Sequence, residues 1–274
     1  MISVNTNQGA MVALQTLAKT DRDLSITQNR VSTGLKVSSA KDNGAIWAIA
    51  NKMKSDVMAY DRVIESNERA TALVDTGLAA GESIMELLNE MKGKALAASQ
   101  AGLSASAQSA LNADFVQMRD QVTSIIANAS FDGANMVSAA VANAVSLGDA
   151  AGGNSITVTG VNLSLGGAVV TVAAASDVAS AANATTALGL VNASITNLGT
   201  QLATWGAGAK RLDAHKTFVG KLQDALNSGI GSMTDADLSK ESAKLQALQV
   251  KQQLGVQALS IANQSAQTAL SLFR

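Results

Sequence analysis

A mainly α-helical fold, made of long antiparallel coiled-coil-like helices with a small β-hairpin region in the middle of the chain, is predicted by three observations. First, apolar residues recur at alternating steps of three and four along both ends. From Leu188 the steps reach Val191, Ile195, Leu198, Leu202, Trp205, Ala209, Leu212, Lys216, Val219, Gln223 and Leu226, and ten of these twelve positions are apolar. Second, the 274 residues contain no Pro. At an average usage of ~5% that absence has a chance probability on the order of one in a million, and uninterrupted helices are a direct reason for it, because Pro removes a backbone donor and clashes with the preceding turn. Third, no Lys or Arg lies between Asp120 and Ala209, and within that span the helical rhythm is lost over residues 138–187.

Each element follows from local signals. Leu14, Leu17, Leu24, Val31 and Leu35 keep the three-four spacing, with Asp21 and Gln28 as polar interruptions, and Gly34 supplies a stop. After the polar stretch at 38–44, a second stripe runs from Ile46 through Ile49, Met53, Tyr60, Val63, Ala70, Val74, Ile84 and Leu88 to Met91. A helix over 45–98 would be ~80 Å long at 1.5 Å per residue. A third helix follows Gly102 on Leu111, Phe115, Met118, Val122 and Ile125, and Phe131-Asp132-Gly133 reads as a turn. Ser155–Thr159 and Ala168–Val172 have strand composition between glycines, which predicts a hairpin and not a large sheet. The seam helix runs from about Thr186 to Asn227, and a last helix opens at Thr234-Asp235-Ala236-Asp237 with Thr234 as its N-cap. That helix carries Leu238, Leu245, Leu248, Leu259 and Phe273 on one stripe, whose cover must come from residues 1–35 or from other molecules.

Composition narrows the function. Only 3% of residues are aromatic, so the cores are thin helix seams, and the absence of Cys removes disulfides and thiolate chemistry. Twenty basic and 21 acidic residues give a net charge of −1 without a basic face, which argues against nucleic acid. No run of 18 apolar residues suggests membrane insertion, and Met1–Gly9 lacks the charged start and apolar stretch of a secretory signal, so any export is expected to proceed without a cleaved signal peptide. His215 is a lone histidine without a nucleophile beside it in the pattern. Asp21, Asp23, Asp235 and Asp237 lack calcium-loop spacing, and Gly206 and Gly208 fit close helix approach better than a phosphate loop. Neither catalysis nor a metal or cofactor is expected.

Both ends resemble bacterial flagellin. Val4-Asn5-Thr6-Asn7 is similar to that family's opening motif, and the run from Val31 to Ala45, continued by Trp47-Ala48-Ile49-Ala50, is similar to its most specific one. Ser130-Phe131-Asp132-Gly133 resembles the family's Phe-Asn-Gly turn with Asp for Asn. At the other end, Ala207 to Phe218, Asp235-Ala236-Asp237, Glu241, Gln252-Gln253 and Ala262-Asn263-Gln264 also fall where the family has similar residues.

The resemblance implies a structural subunit that self-assembles into an extracellular flagellar filament for swimming. Residues 1–44 and 233–274 would form the filament core, 45–137 and 188–232 the two halves of a helical outer-core domain, and 138–187 a small surface segment. Val4, Met11, Leu14, Leu17, Leu24, Val31 and Leu35, with Leu238, Leu245, Leu248, Leu259, Leu270 and Phe273, would line the filament-core interface. Implied partners are further copies of the chain and other flagellins, the flagellar export apparatus, a C-terminal chaperone, and hook-associated junction and cap proteins. Many flagellins carry a helical Leu-Gln-Arg-x-Arg-Glu-Leu-Ala segment that an innate receptor binds. The corresponding residues here are Leu88, Asn89, Glu90, Lys92, Gly93 and Lys94 around Met91, a degenerate version in which Glu90 reverses a charge and Gly93 deletes a carboxylate. A hook-filament junction protein of the same family is the nearest rival, and a signalling coiled coil is the rival from another class.

Overall fold

A computed structural model describes the backbone of residues 7–271 and the side chains of 7–264. Among the described residues there are five helices and one two-stranded sheet, in the order α1 (Gln8–Thr33), α2 (Gly44–Ala98), α3 (Ala105–Asn128), β1 (Ala144–Leu147), β2 (Ser155–Val158), α4 (Ala181–Thr234) and α5 (Leu238–Ser271). The chain divides into two compact units. One comprises Met1–Ser55 with Ala225–Arg274, the other Asp56–Asp224.

The second unit holds the larger core. On α2 the positions Val63, Asn67, Ala70, Val74, Gly77, Gly81, Ile84, Leu88, Met91, Ala95 and Ala98 are all buried, an unbroken alternation of four and three. On α4 the buried residues Val191, Leu198, Trp205, Leu212 and Val219 recur every seven. The two seams meet antiparallel. Glu68 accepts from Lys216 Nζ at 2.8 Å, the Gln223 amide donates to Val57 O at 3.2 Å and Asp61 Oδ1 at 2.8 Å, and Asn67 Nδ2 donates to Leu212 O at 3.1 Å. Where α2 lacks side chains the bulkiest residue fits: the edge of the Trp205 indole lies 3.9 and 3.7 Å from where a Cβ on Gly77 or Gly81 would sit. Its Nε1 donates to Thr159 O at 2.9 Å, which fixes the surface segment to α4. Helix α3, capped by Ser104 accepting from Ala107 N, adds Phe115, Val122 and Ile126 to the same core.

The turn at 131–134 forms as expected, with Phe131 and Ala134 exchanging backbone hydrogen bonds and positive φ at Asp132 (49°) and Gly133 (77°). A hairpin also forms, but with a different partner strand. Ser155–Val158 pairs antiparallel with Ala144–Leu147, in the register Ala144 to Val158. Ala168–Val172 is no strand: Val170 and Val172 are buried in the core, Thr171 N donates to Ser194 Oγ at 2.9 Å, and Thr171 Oγ1 donates to Leu190 O at 2.9 Å. Helical hydroxyl and carbonyl groups supply the partners that a neighbouring strand would have supplied. Gly208 marks a close approach of strand β2 and not of another helix, since a Cβ there would lie 2.8 and 2.9 Å from the Val158 methyl carbons, whereas Gly206 meets nothing within 4 Å.

In the first unit, Asn7 caps α1 by accepting from Ala10 N, and Gly34 ends it at φ 71° with its N–H on Arg30 O. Helix α4 extends to Thr234, so Thr234 is not an N-cap. Its hydroxyl donates back to Ile230 O, and its carbonyl accepts from Lys36 N and Val37 N at 2.6 and 3.2 Å. Asp237 performs the capping instead, its Oδ1 accepting from Lys240 N at 3.1 Å.

Candidate functional site

Helices α1 and α5 lie antiparallel, joined at both ends and in the middle by polar contacts. Asn7 Nδ2 donates to Ala262 O at 2.7 Å, Gln252 Nε2 to Asp21 Oδ1 at 2.8 Å, and Arg30 pairs with Glu241 at 3.1 Å. Between these ties run Leu17, Thr20, Leu24, Thr27 and Val31 of α1 against Leu245, Leu248, Gly255 and Leu259 of α5, with Leu17 Cδ1 3.2 Å from where a Gly255 Cβ would sit. Of these, Thr27 is fully buried, Thr20 and Leu248 are nearly so, and the others are half-buried. Thr27 Oγ1, Arg30 Nε and Glu241 Oε2 are buried without a hydrogen-bond partner.

The residues read from the sequence as an interface therefore separate into groups. Leu17, Leu24, Val31, Leu245, Leu248 and Leu259 meet within one chain, and Leu35 is half-buried where it bridges to Asp235. Met11, Leu14 and Leu238 remain exposed. Val4, Phe273 and the Leu270 side chain lie outside the described residues. A second apolar set was missed: Val12 and Ile26 on α1, and Val250, Leu254, Val256 and Ile261 on α5, are exposed, with Met11 at 65% and Ile261 at 66%. The spacing of Val250, Leu254 and Ile261 is itself four and seven, a second stripe beside the first, and that signal was available in the sequence.

The residues read as a degenerate receptor motif lie on α2. Leu88, Met91 and Ala95 face the core, while Asn89, Glu90, Lys92 and Gly93 are exposed. Lys94 is tied by a 2.5 Å ion pair to Asp114 of α3. His215 is half-buried beside the Phe218 ring, at 6.5 Å between centroids. Among the described residues no three His, Cys, Asp or Glu side chains gather as a metal site, and no helix is long and apolar enough to cross a membrane.

The antiparallel pair of end helices remains apolar on its outer side. Residues 4–142 match the family model of the bacterial flagellin N-terminal helical region, and residues 188–273 match that of the C-terminal helical region. The chain belongs to the bacterial flagellin family. It is 47% identical over 227 residues to flagellin FljO of Caulobacter vibrioides, covering 83% of this chain and 82% of that one. To a flagellin of Brucella melitensis it is 39% identical over 238 residues, 84% of each. Among solved structures it resembles a crystal structure of Bacillus cereus flagellin with a TM-score of 0.50 at 22% identity, over 55% of this chain and 86% of that one, a likeness of fold. As a member of this family the chain is a structural subunit of the extracellular flagellar filament, polymerising with itself, and it is not an enzyme.

Proposed function

We propose that α1 and α5 form the inner wall of the filament and that their outward apolar residues are what neighbouring copies cover. The observation that carries this is the exposure of Met11, Val12 and Leu14 on α1 and of Val250, Leu254, Val256 and Ile261 on α5 after the two helices have already packed on each other. Seven such side chains present several hundred Å², and at ~25 cal/mol per Å² their burial would contribute on the order of 10 kcal/mol per subunit before ordering costs. Residues that hold the α1–α5 pair together, Leu17, Leu24, Val31, Leu245, Leu248 and Leu259, would then act on assembly by shaping the pair. The test is Leu254→Asn with Ile261→Asn, two exposed sites. The monomer should keep its helicity and melting temperature but form no filaments by electron microscopy. Normal filaments would overturn the assignment.

Export follows the same reading. The chain would pass unfolded through the flagellar channel, without a cleaved signal peptide, with its polar N-terminal segment read by the export apparatus and α5 guarded by a chaperone. Hook-associated junction and cap proteins would meet the filament ends. The absence of Cys suits threading, because no crosslink can form in the channel. A tightly folding domain fused to the C-terminus should block secretion but not synthesis; undiminished secretion of the folded fusion counts against the route.

Innate recognition should be weak. Glu90 stands where a bidentate Arg would be required, Gly93 offers no carboxylate, and Lys94 is engaged with Asp114. A reporter-cell titration should show low potency, restored in part by Glu90→Arg with Gly93→Glu. Potency equal to that of a flagellin with the usual motif would sink this reading.

A further inference from the structure

Of all the asparagines in the chain only Asn43 is followed by glycine, and the pair sits at the start of α2. Asn43 Oδ1 accepts from Ile46 N at 3.1 Å and Asn43 O accepts from Trp47 N at 2.9 Å, so this side chain caps the helix and Gly44 is its first residue. Both residues are exposed, and a Cβ on Gly44 would meet nothing within 4 Å. Nothing beyond the helix itself crowds the side-chain position of Gly44. What restrains it is the cap, which keeps the Asn43 amide on Ile46 and the Gly44 backbone in the first helical turn.

We propose that Asn43–Gly44 is a spontaneous deamidation site gated by its own helix cap, so that it reacts while this part of the chain is open and is protected once α2 has formed. The Gly44 nitrogen gives up its proton and bonds to Asn43 Cγ. The Cγ–Nδ2 bond then breaks and Nδ2 leaves as ammonia, closing a five-membered succinimide. Water opens the ring at either carbonyl. Attack at Cγ breaks its bond to the Gly44 nitrogen and leaves an ordinary aspartate in place of Asn43. Attack at the main-chain carbonyl breaks the original peptide bond and yields isoaspartate, in which the backbone runs through Cγ. Water is the only co-reactant and no oxidant is needed.

The two products differ in consequence. An aspartate in place of Asn43 can still accept from Ile46 N, and its charge suits a helix N-terminus. Isoaspartate lengthens the main chain by one carbon at the junction between the Ser38–Asp42 turn and α2, and it moves the carboxylate off the cap. Gly rather than a bulkier residue at 44 permits the ring because it leaves the backbone free to leave the helical region. This chemistry does not depend on filament assembly.

The full chain should be aged at mildly alkaline pH in buffer and in urea, and the tryptic peptide 42–52 followed by mass spectrometry with separation of aspartate from isoaspartate. Asn51, followed by Lys52, lies in the same peptide and serves as an internal control. In urea Asn43 should lose its amide much faster than Asn51, with isoaspartate among the products. In buffer the Asn43 rate should fall by about ten-fold or more, as reaction through a rare locally opened state requires. Gly44→Ala, which fits the folded chain, should slow the reaction in urea as well. Equal rates for Asn43 and Asn51 in urea would overturn the site, equal Asn43 rates in urea and buffer would overturn the gating, and an unchanged rate in Gly44→Ala would overturn the cyclic route.

Discussion

Replacing Trp205 by Phe tests how the second unit is held together. The indole is fully buried, rests on the bare backbone at Gly77 and Gly81, and donates to Thr159 O at 2.9 Å. Phe keeps one ring in the slot but cannot donate. The Thr159 carbonyl belongs to an exposed residue and can recruit water, so loss of that hydrogen bond belongs near the low end of the usual range, ~1 kcal/mol. The missing ring removes roughly 40 Å² of buried apolar surface, another ~1 kcal/mol. Gly77 and Gly81 have no side chains that could move into the space, so a residual cavity adds a contribution on the order of 1 kcal/mol. The expected loss is ~3 kcal/mol, which for a unit of about 170 residues lowers its melting temperature by roughly 6–12 °C. Urea unfolding followed by circular dichroism, compared with a control in the exposed Trp47→Phe, would measure it. A loss below ~1 kcal/mol would refute the view that the glycine slot and the indole hydrogen bond anchor the surface segment to α4.

Three further outcomes are expected. Gly160→Ala places a Cβ 2.3 Å from Ala142 O and 2.8 Å from Met136 O, both backbone atoms that cannot rotate away, so the hairpin region should lose its structure and become sensitive to proteolysis at the 138–176 segment, whereas wild-type resistance would show that the backbone there can shift. Leu248→Ala should destabilise the α1–α5 pair by about 2–4 kcal/mol in the monomer, while Leu254→Ala, starting from an exposed side chain, should cost less than about 0.5 kcal/mol, and comparable losses would contradict the division into inner and outer stripes. Asp42 accepts from Ser39 N–H, the Ser38 hydroxyl and Ser38 N–H, and these bonds, the Ser39 backbone donor foremost, hold its carboxyl below the usual carboxylate range. Because the folded value lies below the unfolded one, the turn gains stability above the ordinary carboxylate pKa and loses it as pH falls through the lowered value. Amide chemical shifts of Ser38 and Ser39 should titrate at that lowered pH, and Asp42→Asn should abolish the titration.

Periodicity alone determined most of the helical architecture. The heptad positions of α2 and α4 were legible because a seam that must stay buried over many turns leaves a repeat that no local accident reproduces, and Gly34 announced the end of α1 because only glycine takes its positive φ without strain. The sequence could not say which of two parallel apolar stripes on α5 faces α1. Leu245 and Leu248 look like Val250 and Leu254 when only hydrophobicity and spacing are read, and the choice is made by the register that Asn7, Asp21 and Arg30 impose through Ala262, Gln252 and Glu241. Likewise Ala168–Val172 has the composition of a strand, but Ser194 and Leu190 on the helix that follows satisfy Thr171, and only the folded structure brings them there. Thr234 and Asp237 are both ordinary capping residues. Tertiary hydrogen bonds from Lys36 and Val37 to the Thr234 carbonyl keep Thr234 as the last residue of α4, and so the cap of α5 passes to Asp237. Local chemistry thus set what each segment is, and long-range pairing of otherwise equivalent groups decided which face, partner or cap was used.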